Sequence, residues 1–184
     1  LHIIPKTLHP INDINLKTNE NYQIYVEIPA ASSEKWEVNK KTGVNELQIK
    51  NGKPRIVDFI PYIGNYGFFP QTLSEDNDPL DVIYINKNIP KNSISEVKVL
   101  GALMFKDKGE DDFKVIAVPT TFKYNTLSEV MINKPNYIEI IKLWFESYKK
   151  PGKMVFKGYL EKNETINYIQ LAHDRWKAYK KNKI

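Results

Sequence analysis

An α+β fold, with strands leading and helices trailing, is what the sequence predicts. Three observations carry this expectation. Up to about residue 118 the apolar residues repeat with the period of two that a half-buried strand needs. From about residue 125 the period lengthens to that of a helix. The 184 residues are 41% hydrophobic and 27% charged, with eight Phe, eleven Tyr and three Trp, which is enough apolar material for one sizeable core. A single domain over residues 1–184 is expected, built as a small barrel or twisted sheet with helices packed against it, and with residues 1–20 as an extension or arm.

The elements are justified in order. Residues 22–28 alternate, so Tyr22, Ile24, Val26 and Ile28 are expected on one face. In residues 35–38, Trp36 and Val38 are expected to face one way and Lys35 and Glu37 the other. Residues 81–85 and 97–105 are rich in Val, Ile, Tyr and Leu, as strands are. Residues 113–118 put Lys114, Ile116 and Val118 on one face. Turns with Gly, Pro, Asn and Asp lie between these runs. Thr126-Leu-Ser-Glu129 has capping-box spacing and predicts a short helix. Pro135 is placed to open a second helix, because its missing N–H would be unpaired there anyway. That helix is expected to carry Ile138, Ile141, Leu143, Trp144 and Phe145 until Pro151-Gly152 stops it, with Tyr148-Lys149 in its last turn. Asn163 is the expected cap of a last helix, with Ile166, Ile169 and Trp176 toward the core and lysines outward.

Composition excludes several function classes. Without cysteine there is no disulfide framework, thiolate zinc site or Cys nucleophile, and a reducing compartment such as the cytoplasm is expected. No apolar run approaches the length of a membrane span. The start, Leu1-His2-Ile3-Ile4-Pro5, lacks the features of a signal peptide, and an absent upstream segment is compatible with its opening on Leu rather than Met. His2, His9 and His173 lie near the ends with no HExxH spacing, and no GxxxxGK[ST] loop is present. A histidine metal site, a Ser-His-Asp triad and a P-loop nucleotide site are therefore not expected, and His173 is read as structural. The net charge of +5 and pI of about 9.1 favour an anionic partner, although most of the lysines crowding the C-terminal third read as a solvated surface.

The chemistry-bearing stretch is Asp76-Asn77-Asp78-Pro79-Leu80-Asp81. Its three carboxylates repel one another, so they must be solvated or share a cation. Pro79 fixes its own φ and restricts Asp78. Asp81 opens the strand that follows, which anchors the group at a strand end. Oxygen donors of this kind suit Mg²⁺, Mn²⁺ or Ca²⁺ rather than a soft metal. The Pro and Asp at loop positions four and six rule out an EF-hand. A second acidic turn runs from Asp107 to Asp112, and Glu27 and Glu37 lie near strand ends beside Lys35. Taken singly, each of these residues reads as a surface side chain, and Asn65-Tyr66-Gly67 as a buried aromatic turn.

Asp76-Asn-Asp-Pro-Leu-Asp-Val82 resembles the signature of the family I soluble inorganic pyrophosphatases. Glu27-Ile-Pro-Ala30, Lys35-Trp-Glu37, Gly52-Lys-Pro-Arg55, Asn65-Tyr-Gly67, Asp107 through Lys114, and Tyr148-Lys149 follow in the family's order with compatible spacing. The segment leading to Arg55 and Phe69-Pro70-Gln71-Thr72 resemble the eukaryotic members. The resemblance implies a five-stranded OB-like β-barrel with flanking helices, mainly C-terminal. It implies Mg²⁺-dependent hydrolysis of pyrophosphate to two phosphates by direct attack of a metal-activated water, with no covalent intermediate. Several Mg²⁺ ions per site are implied, with Mn²⁺ able to substitute.

By matched position, the resemblance gives Asp76, Asp81 and Asp112 the tightest metal, and Asp107, Asp112, Glu37 and Glu27 the metals that arrive with substrate. Asp78 becomes the general base. Lys35, Arg55, Tyr66, Tyr148 and Lys149 grip the phosphates, and Lys114 supports the acidic cluster from the neighbouring strand. Expected partners are pyrophosphate and phosphate, with no nucleic acid and no membrane, in a homo-oligomer of which a dimer is favoured. Lys108 departs from the pattern, since familiar members often carry Glu there, and this leaves metal binding at that edge open. Two rivals stand beside this reading, a nucleic-acid-binding OB domain and a non-catalytic metal-binding relative of the enzyme. The acidic clusters oppose the first, and the complete set of polar positions opposes the second.

Overall fold

The computed structural model describes residues 7–183, so His2 and the start considered as a signal peptide lie outside it. Strand β1 (Lys17–Thr18) pairs antiparallel with β2 (Asn21–Ile28). Two small hairpins follow, β3 (Trp36–Val38) with β4 (Asn45–Leu47), and β5 (Ile49–Lys50) with β6 (Lys53–Pro54). Next come β7 (Asn65–Phe68), β8 (Asp81–Tyr84), β9 (Ile94–Asp107) and β10 (Glu110–Val118). Helices α1 (Leu127–Asn133) and α2 (Pro135–Ser147) precede β11 (Met154–Glu161) and the last helix, α3 (Lys162–Lys181).

The main sheet runs in the order β1-β2-β7-β8-β10-β9-β11, and β9 also pairs with β2. Strands β2, β7, β8, β10 and β9 therefore form a ring, the five-stranded barrel the sequence led us to expect. The length of β9 permits this. Its residues 94–97 pair with β2, and its residues 98–107 pair with β10. A register shift between Ile116 and Ala117 adds the local bend that ring closure requires.

Period two reads out as two cores. Val115 and Ala117 join the cluster beneath α3, with Ile169 and Ala172. Ile116 and Val118 join the cluster beneath α1 and α2, with Leu127, Ile138, Trp144 and Phe145. Ile11 and Ile14 pack on Tyr25, Val38 and Phe68, and Leu16 enters the α3 core, so the expected N-terminal arm is seated on the barrel from Ile11 onward.

Several local expectations are corrected. Tyr22, Ile24 and Val26 share one core, but Ile28 lies in the other, because the register shifts between Val26 and Ile28. Trp36 and Val38 do not share a core; both line the cleft described below, as do Lys35 and Glu37. Leu143 is half exposed, facing away from the buried Ile141 and Trp144. Helix α2 ends at Ser147, before Pro151, with Tyr148 as its cap. The cap of α3 is Glu161, whose side chain forms a reciprocal capping box with Glu164, and not Asn163. Strand β11 breaks the strands-then-helices order. Its pattern is interrupted by Lys157 and by Gly158, where the register shifts and φ is +147°.

Gly67 sits where β7 passes β2 most tightly. A Cβ there would lie 1.8 Å from the carbonyl oxygen of Tyr25. Gly67→Ala is expected to cost at least about 3 kcal/mol of stability, because backbone rather than a flexible side chain must yield. The midpoint and slope of urea unfolding check this; a midpoint equal to that of the wild type would show that the strands separate freely.

Candidate active site

The acidic turn is built locally before it is used. Thr72, fully buried, donates its hydroxyl to the Phe69 carbonyl at 2.6 Å and accepts the Leu80 N–H at 2.9 Å, pinning both ends of the loop. Within it, Asp76 Oδ1 accepts the Asp78 N–H at 3.0 Å, and the Ser74 N–H donates to the Asp78 carbonyl at 2.7 Å. Asn77 takes φ +65°, a conformation Asn tolerates better than most side chains. The result presents Asp76 and Asp78 to one cavity, and Asp81 joins them from the first position of β8.

This cavity measures about 200 Å³. Of the thirteen residues singled out from sequence, all but Arg55 line it. Glu27 comes from β2, Lys35 and Glu37 from the first hairpin, Tyr66 from β7, Asp107 from β9, Asp112 and Lys114 from β10, and Tyr148-Lys149 from the end of α2. Arg55 lines an adjoining basin that shares Asp107, Tyr148 and Lys149 with the cavity. Lys108, at the β9–β10 turn, also faces that basin and not the acidic cavity.

Two fields of opposite sign meet here. On the acidic side, burial and then the nearby charges of Asp78, Asp81 and Asp112 push the Asp76 carboxyl up, against the pull of the Asp78 N–H. Glu27 is the extreme case. Burial first, then Asp81 and Glu37, push it to about 8, although its Oε1 accepts the Val38 N–H at 2.8 Å. On the cationic side, burial and then the like charges of Arg55, Lys149 and Lys114 hold the Lys35 ammonium below its ordinary value, with Glu37 opposing.

Lysines bind the acids where the two fields touch. Lys114, 3% exposed, reaches Asp81 at 2.6 Å, Asp112 at 2.8 Å and the Tyr66 hydroxyl at 2.9 Å. Burial works to lower its pKa, but Asp81, Tyr66 and Asp112 outweigh that and raise it. Lys149 pairs with Asp107 at 2.7 Å, and this bond holds the Asp107 carboxyl low despite its burial. Lys40, which the sequence reading did not single out, pairs with Asp78 and donates to the Asn77 carbonyl at 3.0 Å. Its only sequence signal is its place five residues after Lys35 on the same hairpin.

The donors fit a divalent cation. Every candidate ligand is a carboxylate, the donor that hard cations prefer. Asp107 Oδ1 is buried with no hydrogen-bond partner among the described residues, an acceptor whose desolvation a cation would offset. Among the described residues no three acids stand as a ready-made cage, since ammonium groups hold positions between them. His173 lies away from the cleft, stacked on Trp176 with Nδ1 2.7 Å from the Gln71 carbonyl.

Comparison with known proteins follows the same lines. A family model described as inorganic pyrophosphatase matches residues 24–177. The inorganic pyrophosphatase of Bos taurus is 35% identical over 201 aligned residues, covering 93% of this chain and 70% of that protein. The Homo sapiens inorganic pyrophosphatase is 34% identical with the same coverage. Among solved structures, type I inorganic pyrophosphatase from Toxoplasma gondii superposes with a TM-score of 0.87 at 28% identity, covering 94% of this chain and 88% of that one. The type I enzyme from P. falciparum gives 0.84 at 29% identity, covering 95% of this chain but only 64% of that one.

The Glu27 shift sets a pH dependence for the metal-free protein. Well below 4.5, its ordinary value, the carboxyl is neutral in folded and unfolded chains alike, and no penalty arises. As pH rises toward about 8 the unfolded chain ionises it while the fold resists, so stability falls and then levels off. With chelator present, stability relative to Glu27→Gln is expected to drop by on the order of a few kcal/mol between about pH 5 and 8. Urea midpoints of the two proteins across that range check it, and parallel curves would contradict it.

Proposed function

The chain belongs to the inorganic pyrophosphatase family, and on that premise we propose that it hydrolyses inorganic pyrophosphate to two phosphates in this cleft, with Mg²⁺ as cofactor. The observation that carries the reading is one cavity divided between a carboxylate wall and a wall of ammonium and phenol groups, with the Arg55 guanidinium in the basin beside it. Pyrophosphate carries high charge in a small volume, and phosphoryl transfer is mostly positioning and charge neutralisation. Divalent cations, several per site and with Mn²⁺ able to replace Mg²⁺, would supply that neutralisation and a more acidic water.

The chain's own residues divide the remaining work. Asp76, Asp81 and Asp112 hold the tightest cation, and Asp107, Asp112, Glu37 and Glu27 hold those that enter with substrate. Lys35, Tyr66, Tyr148 and Lys149 bind phosphate oxygens, and Arg55 offers them a bidentate fork from the adjoining basin. All three Lys114 donors already have partners, so its part is to orient Asp81 and Asp112 rather than to bind substrate. Asp78, half exposed at the mouth with Lys40 beside it, accepts the proton of the attacking water. Water rather than a side chain attacks: the carboxylates that could otherwise accept phosphoryl hold cations or, at Asp78, the proton, and among the described residues no Ser, Thr, His or Cys lines the cavity.

A cysteine-free chain fits a reducing compartment, here assigned to the cytoplasm. No helix among the described residues is long and apolar enough to cross a membrane. A homo-oligomer, with a dimer favoured, fits the apolar side chains exposed at Ile56, Phe59 and Ile60.

Phosphate release from pyrophosphate is expected with Mg²⁺ and not with chelator. Asp78→Asn is expected to lower kcat by roughly 10²- to 10⁴-fold while leaving the circular dichroism spectrum unchanged. Asp81→Asn is expected to raise the Mg²⁺ concentration needed for half-maximal rate. Normal turnover by Asp78→Asn would remove Asp78 from the base role.

A further inference from the structure

The cleft does not end at Lys149. The basin it opens into, about 400 Å³, adds Lys50, Lys108, Lys150 and Lys153 to Arg55 and Lys149. That basin shares Lys108 and Lys153 with a third, about 470 Å³, which adds Lys106 and Lys157. Cations therefore line a continuous path leading away from the catalytic cavity, and its one carboxylate among the described residues, Asp107, is already paired with Lys149. Lys106 is paired with Asp111. Among the described residues, Lys108, Lys150, Lys153 and Lys157 have no carboxylate partner.

Tight turns fix the backbone that carries these cations. Lys108 and Gly109 form the two-residue connection between β9 and β10, with φ of +53° and +87°, as a hairpin turn matched to strand twist requires. The Lys153 N–H donates to the Lys150 carbonyl at 3.2 Å, closing the turn after α2. Like charges brought together on fixed backbone repel one another, and a polyanion is what relieves them.

We propose that this path binds linear inorganic polyphosphate and feeds its terminal unit into the catalytic cleft, so that the chain shortens chains of phosphate as well as splitting pyrophosphate. The inference rests on the hydrolytic reading of the cleft. The water oxygen bonds to the terminal phosphorus, and the terminal P–O–P bridge breaks with its electron pair leaving on the shortened chain. The water proton passes to Asp78 and then to solvent, and no further reactant is needed. Single-stranded nucleic acid is the less suitable occupant, because among the described residues neither basin offers, beyond Tyr148, an aromatic ring on which a base could stack.

The test compares wild type with Lys153→Glu/Lys157→Glu, using pyrophosphate, tripolyphosphate and a short linear polyphosphate. Pyrophosphate kcat/KM is expected to stay within about two-fold, while KM for the polyphosphate rises by roughly ten-fold or more and its salt dependence weakens. Calorimetric titration with the polyphosphate, under chelator, is expected to show the same loss of affinity. Equal losses for pyrophosphate and polyphosphate, or unchanged polyphosphate affinity in the variant, would overturn the proposal. So would oligothymidylate binding the wild type as tightly as polyphosphate does. If pyrophosphate itself is not turned over yet polyphosphate binds and the variant loses it, the hydrolytic reading fails while the binding path stands.

Discussion

The site depends on one buried ammonium. Placing Lys114 beneath the cleft carries a large desolvation cost, which its contacts to Asp81, Asp112 and Tyr66 offset. Those contacts come from three neighbouring strands, β7, β8 and β10, so barrel register and local charge balance are one constraint. The parallel register that sets Val82 opposite Val115 brings the start of β8 beside Lys114. A slip of one residue in β10 would turn Lys114 and Asp112 outward together and leave Asp81 and Tyr66 without their ammonium partner.

The same economy of position explains Glu27. An irregularity in β2 sends Ile28 into a different core from Val26, and the carboxylate between them is buried beside the Val38 amide. Regular alternation would have offered no reason to bury a glutamate there. A local break in strand geometry at a carboxylate is a common device near active sites, where it re-aims one side chain while the ring of strands persists.

Much of the fold was legible because burial imposes period two on strands. The alternation of Val115 to Val118 between two cores is what the apolar pattern of that segment encodes. What was not legible were the places where tertiary geometry overrides pattern. The β2 irregularity has no composition cue, and β11 is masked by Lys157 and Gly158. The α3 cap went to Glu161 because its reciprocal bonds with Glu164 outcompeted Asn163. Within the site, the Asp76–Asp81 segment was visible through the family resemblance carried by its spacing, its proline and the aliphatic residues that follow, since three clustered acids alone equally suit a solvated surface turn. Lys40 was not, because a lysine on a hairpin has no distinguishing signal until its ion pair with Asp78 is seen. Arg55 lines the adjoining basin rather than the cavity, a distinction only the folded hairpins define.

Acids and ammonium groups in this cleft neutralise one another in the absence of other ions; on the proposed function, divalent cations displace the Lys149–Asp107 contact when the charged substrate enters, while Lys114 goes on orienting Asp81 and Asp112. Anomalous diffraction from crystals soaked with Mn²⁺ and a non-hydrolysable diphosphate tests this most directly. Peaks among Asp76, Asp81 and Asp112, with diphosphate oxygens against Lys35 and Lys149, are the predicted result. Anomalous density confined to other surfaces, with the Lys149–Asp107 pair intact and diphosphate bound elsewhere, would contradict it.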